Sequence, residues 1–199
     1  MTSHAIPRAE RKEALAAALE QELASLAKRG VRTEGNALSP IVLVKGALNE
    51  EERAGGALLG GADGTALRAS LTTLGYAPEE FCALAAVAGP GEEGVVDGAP
   101  EGEPLPPELF REALEALDPE AVVLLDDEAT AVMREAYAEA LSAIEDFDTA
   151  MLMPGLVAYV LGRRVLALDG FEAALQNGRA EKQRMWAYLK QLPPEGAPY

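Results

Sequence analysis

Val165-Leu166-Ala167-Leu168-Asp169-Gly170-Phe171-Glu172-Ala173-Ala174-Leu175-Gln176-Asn177 carries an apolar strand through one Asp-Gly corner into a short apolar helix. An apolar run without polar alternation marks a strand buried on both faces, as in a parallel sheet covered by helices. Upstream, Leu156 to Leu168 reads as two strands around Gly162-Arg163. Downstream, Arg179 to Gln191 reads as a closing helix, with Trp186 and Leu189 packed on the sheet.

The same signature recurs at Ile41-Val42-Leu43-Val44, after Pro40, and at Ala121 to Leu125. Phe81 to Val87 supplies a further strand, although alanines are poor strand formers. Between these lie helical patterns. Leu15, Ala18, Leu19, Leu23 and Leu26 recur at helical spacing in a helix from Arg8 to Lys28, closed by Gly30. Helices are also expected from about Thr65 to Leu74, capped by Gly75, and from Pro106 or Pro107 to Leu117. Another runs from Asp126 to Leu141, N-capped by Asp126 or Asp127. Residues 89–107 form a long acidic Gly/Pro loop, long enough to be mobile or functional. Residues 1–7 and 193–199 are expected to fray. Strands separated by helices predict a single α/β domain over 1–199, with a mostly parallel sheet covered on both faces.

Composition narrows the function classes. The chain has 199 residues, net charge −16, one cysteine (Cys82) and one histidine (His4). No apolar run approaches the length of a membrane span, and the first residues lack the apolar region of a secretory signal. A reduced, cytoplasmic protein is expected. Between Glu92 and Asp148 there are 18 acidic residues against Arg111 and Arg134, so this block carries the whole excess. Such a block should repel phosphate backbones. It suits a basic protein partner or serves solubility.

Asp126, Asp127 and Asp169 stand at expected carboxyl ends of strands, where open α/β sheets bind ligands. They read either as a metal or acid/base cluster, or as helix caps, Asp169 capping the short helix after it. The Gly55–Gly64 loop is either a phosphate cradle or a structural turn. Arg163, Arg164, Arg179, Lys182 and Arg184 make the densest basic group, either a nucleic-acid surface or solvated faces and a hairpin tip. Cys82 in its apolar setting reads as a small buried hydrophobe. Within the core no histidine is available to activate a serine or cysteine.

Several segments, in order, resemble the bacterial uracil-DNA glycosylases that carry an iron–sulfur cluster, over roughly Arg11 to Leu192. Glu52-Arg53-Ala54-Gly55-Gly56-Ala57-Leu58-Leu59-Gly60-Gly61-Ala62 is similar to that family's Asp-Arg-x-Gly-x-Pro-Phe-Val-Gly-x-Ala loop. Asp118-Pro119-Glu120-Ala121-Val122-Val123-Leu124-Leu125, followed by Ala129, resembles its Pro-x-x-Ile/Val strand and Leu-Gly-x-x-Ala turn. The opening stretch, with Lys182 and Trp186, resembles its closing motif: a strand, a catalytic His-Pro, a short helix ending in Leu-Arg-Asn, then a helix with Lys and Trp. The resemblance implies a three-layer α/β/α sandwich.

It does not carry the chemistry. A glycosylase of this kind holds a flipped uracil and stabilises the charge that develops on it. Where the family has Gly-Glu-x-Pro-Gly, this chain reads Val44-Lys45-Gly46-Ala47-Leu48. The uracil-reading Asn falls near Leu84, and the His-Pro pair falls on Gly170 and Phe171. An iron–sulfur cluster needs four cysteines, and Cys82 stands alone. Each lost donor to a developing oxyanion is often worth about 3 kcal/mol, so losing several should abolish turnover. The sequence therefore predicts a non-catalytic protein of this fold without a cofactor, its acidic 92–148 region free for a partner. The rival expectation is a divergent enzyme using Asp126, Asp127 or Asp169 on a small ligand or base. A third keeps DNA binding without catalysis.

Overall fold

The computed structural model describes residues 8–195. In chain order the elements are α1 (Arg8–Lys28), β1 (Thr33–Gly35), β2 (Ile41–Lys45), α2 (Glu50–Arg53), α3 (Ala62–Leu74) and β3 (Cys82–Ala85). Then follow α4 (Pro107–Leu117), β4 (Ala121–Leu124), α5 (Asp127–Ala136), α6 (Ala138–Ser142) and α7 (Phe147–Ala150). The chain closes with β5 (Val157–Val160), β6 (Arg163–Ala167), α8 (Phe171–Gln176) and α9 (Arg179–Leu189).

The fold is α/β with a six-stranded mixed sheet in the order β1-β3-β2-β4-β6-β5. β3, β2, β4 and β6 are parallel neighbours, while β1 and β5 pair antiparallel at the two edges. The three central runs behave as their composition demands: β2, β3 and β4 are buried at every position. Alternate side chains feed two cores. Val42, Val44, Leu84, Val122 and Leu124 pack with Leu26, Leu109 and Met133, on the face covered by α1, α4 and α5. Ile41, Leu43, Ala83 and Val123 pack with Leu67, Phe171 and Met185, on the face covered by α3, α8 and α9.

Several expectations are corrected. The second parallel strand spans Cys82–Ala85 rather than 81–87, because Ala86 and Ala88 turn their backbones to the 102–105 segment: Leu105 N donates to Ala86 O at 2.8 Å and Ala88 N to Glu103 O at 2.8 Å. Those bonds, with Ala99 N to Arg29 O (2.9 Å) and Glu92 N to Lys28 O (2.7 Å), pin the 89–107 loop at several points. The helix expected from Asp126 to Leu141 is divided at Tyr137, whose φ of −120° leaves the helical region while its ring is buried. α3 begins at Ala62, ahead of Thr65. β1, α2 and α7 were not expected at all. Pro193 is held, its carbonyl accepting from Arg164 Nη1 at 2.8 Å. The fraying expected of 1–7 and 196–199 lies outside the described residues. Among those described, no helix is long and apolar enough to cross a membrane.

Strand order places a topological switch between β2 and β4. The chain leaving β2 travels by α3 to β3 on one side, and the chain leaving β4 travels by α5 towards β6 on the other. Diverging connections open a crevice at the carboxyl ends of such neighbours, where α/β proteins place ligands.

Candidate functional site at the carboxyl end of the sheet

The crevice is lined by this chain's own charged side chains, which are tied to one another and to the backbone. Asp126, the residue after Leu125, N-caps α5 by accepting from Ala129 N at 2.9 Å. Its carboxylate also accepts from Gly46 N (3.0 Å) and Ala47 N (3.0 Å), reaching across from β4 to the loop after β2. Burial pushes the Asp126 carboxyl above its ordinary range, and the three backbone N–H groups work against that push. Gly46 is required by this close approach. A Cβ there would lie 2.5 Å from Glu128 Cβ and 2.7 Å from Ala129 N.

Lys45, the last residue of β2, is 3% exposed. A buried ammonium must be paired, and its Nζ lies 2.7 Å from Asp63 Oδ2, 2.9 Å from Glu52 Oε2 and 3.0 Å from Glu172 Oε2. An ammonium has three protons to donate, and three carboxylates surround this one. Burial alone would lower the Lys45 pKa; Asp63, Glu52 and Glu172 outweigh it and hold the group above its ordinary value. Lys45 is therefore a fixed cation, unable to serve as nucleophile or base at neutral pH.

The carboxylates are placed by local structure. Asn49 and Glu52 form a capping box on α2, and Glu52 also accepts from Leu59 N at 2.8 Å. Asp63 lies in the first turn of α3, its second oxygen accepting from Gly64 N at 2.8 Å. Glu172 lies in the first turn of α8, and its side chain is 44% exposed, against 1% for Glu52 and 4% for Asp63. It is the member of the cluster that meets solvent.

Gly170 caps α8 with φ of +79°, a left-handed conformation that favours glycine. That turn sends Phe171 inward, where it is buried in the same core as Leu48. A cavity of about 320 Å³ remains beside it, lined by Lys45, Asp63, Asp126, Leu125, Phe171 and Glu172 among others. A second, of about 430 Å³, lies on the other side of Gly46 and Leu48 beside Arg32, Arg53, Glu101 and Glu128. Arg32 spends Nη1 on Glu52 O and Nη2 on Gly56 O.

The structure does not assemble the three aspartates. Asp126 bonds backbone; Asp127 is exposed in the first turn of α5. Asp169 does not cap α8, because the Gly170 turn directs it to α9, where it pairs with Arg184 at 2.7 Å. Among the described residues no group of three or more His, Cys, Asp or Glu is arranged to hold a metal ion. Leu84 points into the opposite core. The basic residues are dispersed: Arg163 pairs with Asp118 at 2.7 Å at the start of β6, while Arg184 binds Asp169 and Glu181 beyond its far end. The 55–64 loop directs Leu58 N to Glu34 and Leu59 N to Glu52, so both groups are occupied by carboxylates.

Sequence reasoning missed Glu52, Asp63 and Glu172 as partners of Lys45. One signal was present: a lysine ending a strand buried on both faces must find carboxylates. No protein-family model and no curated protein matches this chain.

Proposed function

We propose that this chain is a three-layer α/β/α sandwich related to the uracil-DNA glycosylases, in which the ancestral active site has become a structural ion cluster. Lys45-Gly46, Ala129 and Gly170-Phe171, matched to three separate motifs of that family, lie at the carboxyl end of one sheet. The observation that carries the reading is Lys45 with its three carboxylates. Where the resemblance expects an acid or amide facing a base, a buried cation is neutralised from within. The backbone N–H groups that follow are taken by Asp126. At the position matched to the histidine, Gly170 has no side chain to donate, and Phe171 after it is buried in the core.

On this reading the protein acts without catalysis, by contacts of its acidic 92–148 region with a basic protein partner. The divergent-enzyme alternative gains nothing from the geometry, since Asp126, Asp127 and Asp169 each have a separate structural environment. Incubation with uracil-containing DNA tests the proposal: no base should be released.

A further inference from the structure

The acidic region is not evenly polar. A groove of about 460 Å³ runs between α5, α6 and α7, and its apolar wall includes Ala138, Leu141, Ile144, Phe147, Ala150 and Met151. Phe147 is 73% exposed. Local structure holds it there. Asp146 caps α7 by accepting from Thr149 N at 2.8 Å and from Thr149 Oγ1 at 2.6 Å, which fixes the turn that begins with Phe147. An aromatic ring fixed outward beside an apolar groove is an anchor without a partner.

Charge identifies the occupant. From residue 134 to 148 there are five acids (Glu135, Glu139, Glu145, Asp146 and Asp148) and one base, Arg134. Glu145 and Arg134 line the groove itself. A second copy would bring the same acidic face against this one, so self-association here meets like-charge repulsion. A cationic partner meets attraction.

We propose that the α5–α7 groove docks a basic amphipathic segment of another protein. A bulky apolar side chain lies against Phe147, Ile144 and Met151, and flanking Lys or Arg face Glu145, Asp146 and Asp148. The inference rests on the reading above, which gives the acidic region a partner, and it names the surface and the chemistry of that partner.

Fluorescence anisotropy on the full chain tests it, with three labelled synthetic peptides: an amphipathic Leu/Lys helix, its Leu/Glu counterpart, and a Lys/Ser peptide without leucine. The Leu/Lys peptide should bind at least tenfold more tightly than either other. Phe147→Ser should weaken it about tenfold, while Val96→Ser, at an exposed apolar residue of the same acidic block, should change it less than twofold. High salt should weaken binding as well. Equal affinity for the Lys/Ser peptide, or equal effects of the two substitutions, would overturn the proposal. So would a dimer in sedimentation that Phe147→Ser dissolves, since a second copy would then be the occupant. Base release is assayed on the same preparation. Failed peptide binding without base release removes only the groove, whereas base release removes the non-catalytic reading.

Discussion

Lys45 Nζ and Asp63 Oδ2 meet at 2.7 Å, joining the end of β2 to the first turn of α3 inside the protein. Each partner is about 4% exposed. The contact explains how a lysine can end a strand in the middle of the sheet.

Removing the cation should be worse than removing it together with Asp63's charge. Lys45→Met leaves Glu52 and Asp63 buried without their cation, a loss of about 3–5 kcal/mol in a denaturant titration. Adding Asp63→Asn to that variant should recover part of it, because the amide keeps one oxygen for Gly64 N, whereas both Glu52 oxygens already accept from backbone N–H groups. A single-variant loss below about 1 kcal/mol, the value of an exposed pair, would contradict the role given to Lys45.

The pH dependence has a definite sign. The folded-state pKa of Lys45 lies above its ordinary 10.5, because its carboxylates outweigh burial. Its stabilisation is therefore complete below the unfolded-chain value and is lost only as pH rises through the folded one. Acylation near about pH 9, where ordinary lysines retain some neutral amine, should modify exposed Lys28, Lys182 and Lys190 and spare Lys45 in mass spectra. Modification of Lys45 at a comparable rate would contradict a buried, fully donated ammonium.

Gly46→Ala places a methyl group 2.5 Å from Glu128 Cβ and 2.9 Å from Asp126 Oδ1. The β2–α2 loop must then move from the N-terminus of α5, at a cost of about 1–3 kcal/mol. Thermal unfolding should show the loss, and an unchanged midpoint would mean that the two loops are not held together as described.

Cys82 is 1% exposed, and burial pushes its thiol up to about 12. The native protein should not react with a thiol-disulfide reagent at neutral pH, and one equivalent should react after denaturation. Stoichiometric reaction in the native state would show that β3 opens readily.

What the sequence disclosed depended on whether the cause was local. Ile41–Val44 and Ala121–Leu124 were legible as central strands because nothing polar interrupts them, and Asp126 as a cap because it precedes a helical pattern. β1 was not, since three residues carry no periodicity and its pairing with Cys82–Leu84 is tertiary. α2 was written in the capping box from Asn49 to Glu52, a signature short enough to pass as loop. Tyr137, its ring buried, interrupts a continuous helical pattern, which no spacing rule anticipates. Of the Lys45 cluster, only the need for carboxylates was legible. Glu172 lies 127 residues away along the chain, and its arrival depends on the parallel placement of β2, β4 and β6. Asp169 misled because the Gly170 turn, not its own position, decides where it points.

We propose that the carboxyl end of this sheet holds a structural ion cluster in place of an active site. A single-turnover assay with protein in excess over duplex and single-stranded DNA, each holding one uracil, tests it most directly. Alkaline treatment should reveal no abasic site above a protein-free control. Base release that Asp126→Asn or Asp169→Asn abolishes, in variants that remain folded, would contradict it.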